Sequence, residues 1–388
     1  MEAILPQKEA AAYIDDYRYT AKKRYLIRNA YGGVGQSLRE YGKKVQALID
    51  DHIRSLNISP LLEEREITVY NVYRYVSMNM DNQPNHSDSH NYLLMERLLL
   101  RLVKKWAAGG DMEDALMAAK NCNMKGQKAI LNYLGEDLTE EERINRTIQE
   151  YSNLLERLYL SQIEGCISVK PSQLGLSVSY ELCLKNLRAL TKRAIEFGRF
   201  IWIDMESSKY TDDTLMMYLE LIGRHHDIGV VLQSALRRSA SDLLHLIEVG
   251  GKVRLVKGAY HENEQIAFAS HDEVNANYIK LLDILFNRNY INNKQVDNNT
   301  LKFAVATHDS KLIEHTIGLW KTSKIGIKNF EFEFLKGIRD ELKRDLVEEG
   351  FRVAEYIPYG DEWLPYSVRR LRERKRNIFL LARSLVQS

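Results

Sequence analysis

Two arginines stand side by side near the C-terminus, Arg369 and Arg370, with Glu373 four and three positions beyond them. On a helix that spacing puts Glu373 on the same face as both. Adjacent guanidinium groups offer planar, bidentate donors, which suit a carboxylate or a phosphate. The competing reading is a solvated basic helix, because Arg372, Arg374, Lys375 and Arg376 follow. A third arginine, Arg254, stands inside the apolar run VRLVKGAY. A cation there needs an anionic partner, since its desolvation is otherwise costly. Lys170, Asp204, Gln233, Lys257, Tyr260, Thr307, His308, Asp309, Tyr356 and Tyr359 sit at or just beyond the ends of short β-rich runs, as do Tyr133 and Glu136. Singly, each marks an ordinary place for a strand to meet solvent. Together they carry chemistry only if the fold delivers them to one mouth.

The runs that must position them number eight: 129–134 (AILNYL), 166–170 (CISVK), 200–204 (FIWID), 229–233 (GVVLQ), 253–257 (VRLVK), 303–307 (FAVAT), 330–335 (FEFEFL) and 353–357 (VAEYI). Most are nearly continuous apolar stretches, as parallel strands covered on both faces should be. Helix-like segments such as 180–197 and 214–225 lie between them. Eight such units predict an α/β fold, a (β/α)8 TIM-type barrel, whose chemistry gathers at the C-terminal ends of the strands. A doubly wound sheet is the alternative, but no G-x-G-x-x-G follows the first run. Only the seventh run ends in an apolar residue, Leu335.

Lys and Arg total 55 against 53 Asp and Glu, a net charge of +2. That balance argues against a nucleic-acid binder. Cys122, Cys166 and Cys183 form no C-x-x-C pair, which suggests a reducing, cytoplasmic compartment. The chain has no run of eighteen apolar residues and no apolar signal region at its start. The stretch 77–91 (SMNMDNQPNHSDSHN) reads as a polar linker. Residues 1–94 are therefore expected to form a mainly helical N-terminal arm, and 95–388 the barrel. His86, Asp88 and His90 lie in that linker, and no metal site is expected.

Seven ordered segments carry a resemblance: SVKPSQLGL, IDMESSKYTD, GVVLQSALRR, VRLVKGAY, ATHD, FEFEFLKGI and EYIPYGDEWLPYSVRRLRE. From about Met95 to its end the chain resembles the bacterial-type, monofunctional, FAD-dependent proline dehydrogenases. The resemblance implies a (β/α)8 barrel with FAD at the strand C-termini. It implies oxidation of L-proline to Δ1-pyrroline-5-carboxylate, with hydride passing to flavin N5 and electrons then to a quinone. Peripheral contact with the inner face of the cell membrane is expected from that acceptor.

By the same resemblance, Lys170, Arg369 and Arg370 bind the substrate carboxylate, with Glu373 steadying the pair. Asp204 corresponds to the active-site aspartate and is a candidate proton acceptor by position. Arg254 corresponds to the arginine near N5. Met205, Gln233, Lys257, Gly258, Ala259, Thr307 and His308 correspond to flavin contacts. Tyr260, Leu335 and Tyr356 correspond to the wall against the proline ring. The chain departs from some relatives after KGAY, where His261-Glu262 replaces an aromatic residue. The Asn-rich stretch 291–300 reads as a surface insertion. Two other readings remain open at this point. One is a flavin barrel oxidising another cyclic imino acid or a folate. The other is a non-catalytic barrel with a partner-binding N-terminal module.

Overall fold

Eight parallel strands close on one another in sequence order, β1 bonding to β2 and so on until β8 returns to β1. The structure is a computed structural model, and it describes residues 106–366 except 224, 226, 288–299 and 363–365. The expected arm, the linker at 77–91, nearly all of the insertion and the Arg369-Arg370-Glu373 group lie outside the described residues.

Helix α1 (Met112–Asn123) precedes β1 (Lys128–Tyr133), and α2 (Glu141–Leu160) leads to β2 (Gly165–Val169). Helix α3 (Tyr180–Glu196), β3 (Ile201–Ile203), α4 (Ser208–Ile222) and β4 (Ile228–Gln233) follow. Next come α5 (Ser239–Glu248), β5 (Val253–Val256), α6 (His271–Asn287) and β6 (Phe303–Ala306). Helix α7 (Ser310–Thr322), β7 (Phe330–Leu335), α8 (Asp340–Glu348) and β8 (Arg352–Tyr359) complete the barrel. All eight expected strands are present, and so is the (β/α)8 closure.

The helices begin where short polar side chains can accept the first free amides. Asp111 accepts from Asp114 N at 2.9 Å, Ser179 from Leu182 N at 3.1 Å and Asp309 from Lys311 N at 3.1 Å. Outside the strands the core is aromatic around β6 and β7. Phe303 and Phe330 stack at 5.6 Å, and Phe286 of α6 meets Phe303 edge-on at 5.2 Å.

Inside, Ile130, Trp202, Ala304 and Ala354 form the apolar floor. The indole of Trp202 fits because β4 presents Gly229 to it: a β-carbon on Gly229 would stand 2.2 Å from Trp202 Cζ3. A large ring and a missing side chain on neighbouring strands thus fill one layer.

Candidate active site

Arg254 projects from β5 into the barrel and is 2% exposed. Its Nη1 donates to Asp204 Oδ1 and to Ser168 Oγ, each at 2.9 Å, while its Nε lies 2.6 Å from Glu333 Oε2. Ser168 Oγ also donates to Asp204 Oδ1 at 2.8 Å. From β8, Tyr356 donates to Asp204 Oδ2 at 2.8 Å. Five residues from the ends or interiors of five strands thus converge, and the anionic pairing that the run VRLVKGAY demands is present. The guanidinium also lies 4.6 Å from the centre of the Trp202 ring, a cation–π contact. Burial opposes the charge on Arg254, but the Glu333 and Asp204 carboxylates more than offset it and hold its pKa above the ordinary value. Burial first, and then the Asp204 charge, hold the Tyr356 phenol well above its ordinary range. The phenol is thereby kept as a donor.

Behind this group, Tyr151 of α2 fixes the backbone. Its hydroxyl is 3.0 Å from Ser168 O and 3.2 Å from Asn132 Nδ2. This is a fully buried phenol whose hydrogen bonds hold the ends of β1 and β2 together.

A second cluster lies at the ends of the first two strands. Lys170 bonds Glu136, and Tyr260 donates to Glu136 Oε1 at 3.4 Å. The structure thus brings Lys170 and Tyr260 to one carboxylate. Glu206, which sequence reasoning does not single out, is 3% exposed and accepts from Ser172 N at 2.8 Å and Ser172 Oγ at 2.6 Å. Burial pushes its pKa up to about 7, against the lowering effects of Lys170 and Ser172. The loops are stitched across the mouth: Gln173 Nε2 donates to Tyr133 O at 2.7 Å, and Gln233 Nε2 to Glu206 O at 2.8 Å and Met205 O at 3.1 Å.

A third group lies around β5 and β6. Lys257 Nζ donates to Asp309 Oδ2 at 2.8 Å. Burial opposes ionisation of Asp309, but the Lys257 ammonium holds its carboxyl below the usual value. His308 Nε2 accepts from Leu335 N at 3.0 Å, so that nitrogen carries no proton and the end of β7 is tied to the β6 loop. Asp309 N donates to Thr307 Oγ1 at 3.2 Å. Gly258 has φ +105°, and a β-carbon there would meet Ala235 Cβ at 3.0 Å and Gln233 Oε1 at 3.1 Å. Only glycine accommodates that turn without strain. Gly258 and Ala259 are exposed. Just beyond KGAY, Glu262 caps α4, accepting from Ser208 N at 2.6 Å and from Ser208 Oγ.

Sequence reasoning also passes over Ser168, Glu331 and Glu333. The glutamates were legible in principle, because FEFEFL alternates strictly while most of the other strands do not. The carboxylate clamp at Arg369, Arg370 and Glu373 lies outside the described residues. Among the described residues no helix is long and apolar enough to cross a membrane.

The family model for proline dehydrogenase matches residues 115–380. Proline dehydrogenase 1 of Bacillus subtilis (strain 168) is 31% identical over 286 residues, covering 74% of this chain and 91% of the relative. The proline dehydrogenase of Deinococcus radiodurans is 31% identical over 300 residues, covering 76% of this chain and 93% of the relative. Among solved structures, proline utilization A from Bdellovibrio bacteriovorus superposes with a TM-score of 0.69 at 22% identity, over 82% of this chain. The chain spans 38% of that larger protein, and the likeness concerns the fold. With most of its length matched by the family model, the chain belongs to the proline dehydrogenase family.

Proposed function

We propose that this enzyme oxidises L-proline to Δ1-pyrroline-5-carboxylate with FAD as its bound oxidant and a quinone as the electron acceptor. One observation supports the reading most: Arg254, Asp204 and Tyr356, from three separate strands, form a connected polar triad in the barrel interior. A flavin bound at the C-terminal ends of the strands would accept a hydride from the proline carbon beside the nitrogen.

The residues present fit such a cofactor. Arg254 Nη2 is a buried donor with no hydrogen-bond partner among the described residues. The backbone at Gly258 and Ala259 is exposed, and the left-handed turn at Gly258 allows close approach. Met205, Gln233, Arg254, Lys257, Gly258, Ala259, Thr307 and His308 would hold it.

Proline itself is a small zwitterion with an apolar ring. Lys170 would meet its carboxylate, together with Arg369 and Arg370 steadied by Glu373. Tyr260, Leu335 and Tyr356 would pack on the ring. Such a clamp fixes the donor carbon and contributes by orientation. Asp204 accepts from Ser168, Arg254 and Tyr356, so its role is to orient the arginine and the phenol. That arrangement argues against Asp204 as the acceptor of the amine proton.

Anaerobic addition of L-proline to the yellow protein should bleach its flavin. Protein that stays colourless after FAD is added, or flavin that proline leaves oxidised, would overturn the reading. Faster bleaching by hydroxyproline or pipecolate would change the substrate and keep the cofactor. We further propose that residues 1–94 are an accessory arm to a barrel running over 95–388, so that protein starting at Met95 retains turnover. Peripheral membrane contact accompanies the quinone reading, and flotation with liposomes tests it.

A further inference from the structure

The barrel interior holds more carboxyl groups than the proposed chemistry uses. Glu331 and Glu333 alternate along β7 with Phe330, Phe332 and Phe334. The phenylalanines join the outer aromatic layer, so both glutamates point towards the barrel axis. They are 4% and 3% exposed. Glu333 Oε2 lies 2.6 Å from Arg254 Nε, using a different nitrogen from the one that binds Asp204. Glu333 Oε1 meets no hydrogen-bond donor, and Glu331, two residues along β7, is buried on the same face of the strand. Two carboxylates have no proton to offer one another. A hydrogen bond between them, which would satisfy the orphaned Glu333 oxygen, forms only when one keeps its proton.

The surrounding charges point the same way. Arg254 on β5, Asp204 at the end of β3, Cys166 on β2, Tyr356 on β8 and Tyr278 of α6 face this pair or its arginine. Of these, Arg254 is the cation. Lys128, whose field reaches Cys166, is paired with Glu164 at 3.0 Å. One guanidinium therefore serves Asp204 and Glu333, with Glu331 beside Glu333 on the same buried face. Three full negative charges around one cation are not sustainable there without a bound proton.

We propose that Glu331 and Glu333 form a proton-sharing carboxyl pair that positions Arg254 from inside the barrel and sets the charge Arg254 presents to the mouth. Glu333 is then a positioning residue for proline oxidation, acting through Arg254; this part rests on the reading that Arg254 serves the redox step. With the proton in place, one cation faces two carboxylates. Without it, the cation faces three, and the group becomes one unit more negative beneath the mouth. Flavin reduction by proline should therefore slow at alkaline pH as the shared proton leaves.

Infrared difference spectroscopy reads the proton directly, with or without turnover. At neutral pH the protein, carrying Glu206→Gln to remove the other carboxyl that burial keeps partly protonated, should show a protonated-carboxyl band that shifts in heavy water. The band should vanish when either Glu333→Gln or Glu331→Gln is added. In flavin-loaded protein, Glu333→Gln should reduce flavin about tenfold more slowly at neutral pH, the rate equivalent of losing about 1.4 kcal/mol from the Arg254–Glu333 ion pair. KM for proline should be little changed, and the alkaline limb attributable to the pair should be gone. A Glu206→Gln protein without the band, or a band that persists when Glu333→Gln and when Glu331→Gln is added to it, overturns the shared proton. An alkaline limb unchanged in Glu333→Gln overturns the positioning role. Should Glu333→Gln fail to fold, Glu331→Gln carries both readouts, because it breaks the same contact. Flavin that proline does not reduce in the wild type sinks the redox reading and the positioning role together, while the infrared band still decides the shared proton.

Discussion

Tyr356 donates to one oxygen of Asp204 at 2.8 Å, and Arg254 donates to the other at 2.9 Å. The carboxylate bridges a phenol on the last strand to a guanidinium on the fifth. Tyr356→Phe removes one bond to a charged acceptor and leaves the ring in place. Such bonds contribute about 1.5–3 kcal/mol, so kcat/KM for proline should fall by roughly tenfold or more. Steady-state kinetics would check this, with flavin content expected to stay at the wild-type level.

Arg254→Met leaves Glu333 buried, and Asp204 partly buried, without their cation. Breaking a buried pair from one side costs about 3–5 kcal/mol. Urea unfolding should show that loss at neutral pH. The deficit should shrink in mild acid, where protonation relieves Glu333, whose carboxyl burial already holds well above its ordinary value.

Gly229→Ala places a methyl group 2.2 Å from the edge of Trp202, on a strand that is hydrogen-bonded on both sides. Neither backbone nor indole has room to give. Overpacking of this kind costs about 1–3 kcal/mol or more. Thermal unfolding should report it, and the additional change Trp202→Phe should restore part of the loss.

Glu206 is raised by burial to about 7 from an ordinary value near 4.5. Its folded form therefore holds a proton that the unfolded form gives up more readily. The sign follows: the protonated group favours the folded state fully below about 4.5, and that contribution is lost as pH rises through 7. The upper bound is about 3 kcal/mol, at 1.36 kcal/mol per unit. Glu206→Gln cannot ionise, so its melting temperature should fall less than that of the wild type between pH 4 and pH 8. Calorimetry across that range measures the difference.

Arg370→Ala tests the clamp assigned outside the described residues. KM for proline should rise strongly, by about tenfold or more for a lost charged contact, while FAD content stays nearly intact.

Much of the barrel was legible because parallel strands covered on both faces are written as short apolar runs. The departures are instructive. The eighth apolar run stops at Ile357, before a proline, yet β8 continues to Tyr359. Pro358 has no amide to donate, but its carbonyl accepts from Ala108 N at 2.8 Å, and Leu134 N reaches Tyr359 O at 2.8 Å. The third run extends in sequence to Asp204, whereas β3 ends at Ile203 and leaves that side chain to the triad. Arg254 was legible as needing an anion, since a lone charge inside an apolar run is too costly to bury unpaired. Glu206 was not, because its setting depends on Ser172, brought across from another loop. Ser168 was silent for the same reason. Its hydroxyl matters only once Asp204 and Arg254 are beside it.

The alternation of β7 also bears on how the barrel assembles. Its partners are Phe303 to Ala306 on one side and Arg352 to Tyr356 on the other. Sliding this strand by one residue would turn its three phenylalanines towards the axis and press both glutamates into the aromatic layer outside. The rings of Phe286, Phe303 and Phe351 that line that layer offer those carboxyls no charge to pair with. A misaligned closure would thus be rejected on both faces of one strand at once. The segment FEFEFL acts as a proofreading device for ring closure, independent of anything that later binds at the mouth.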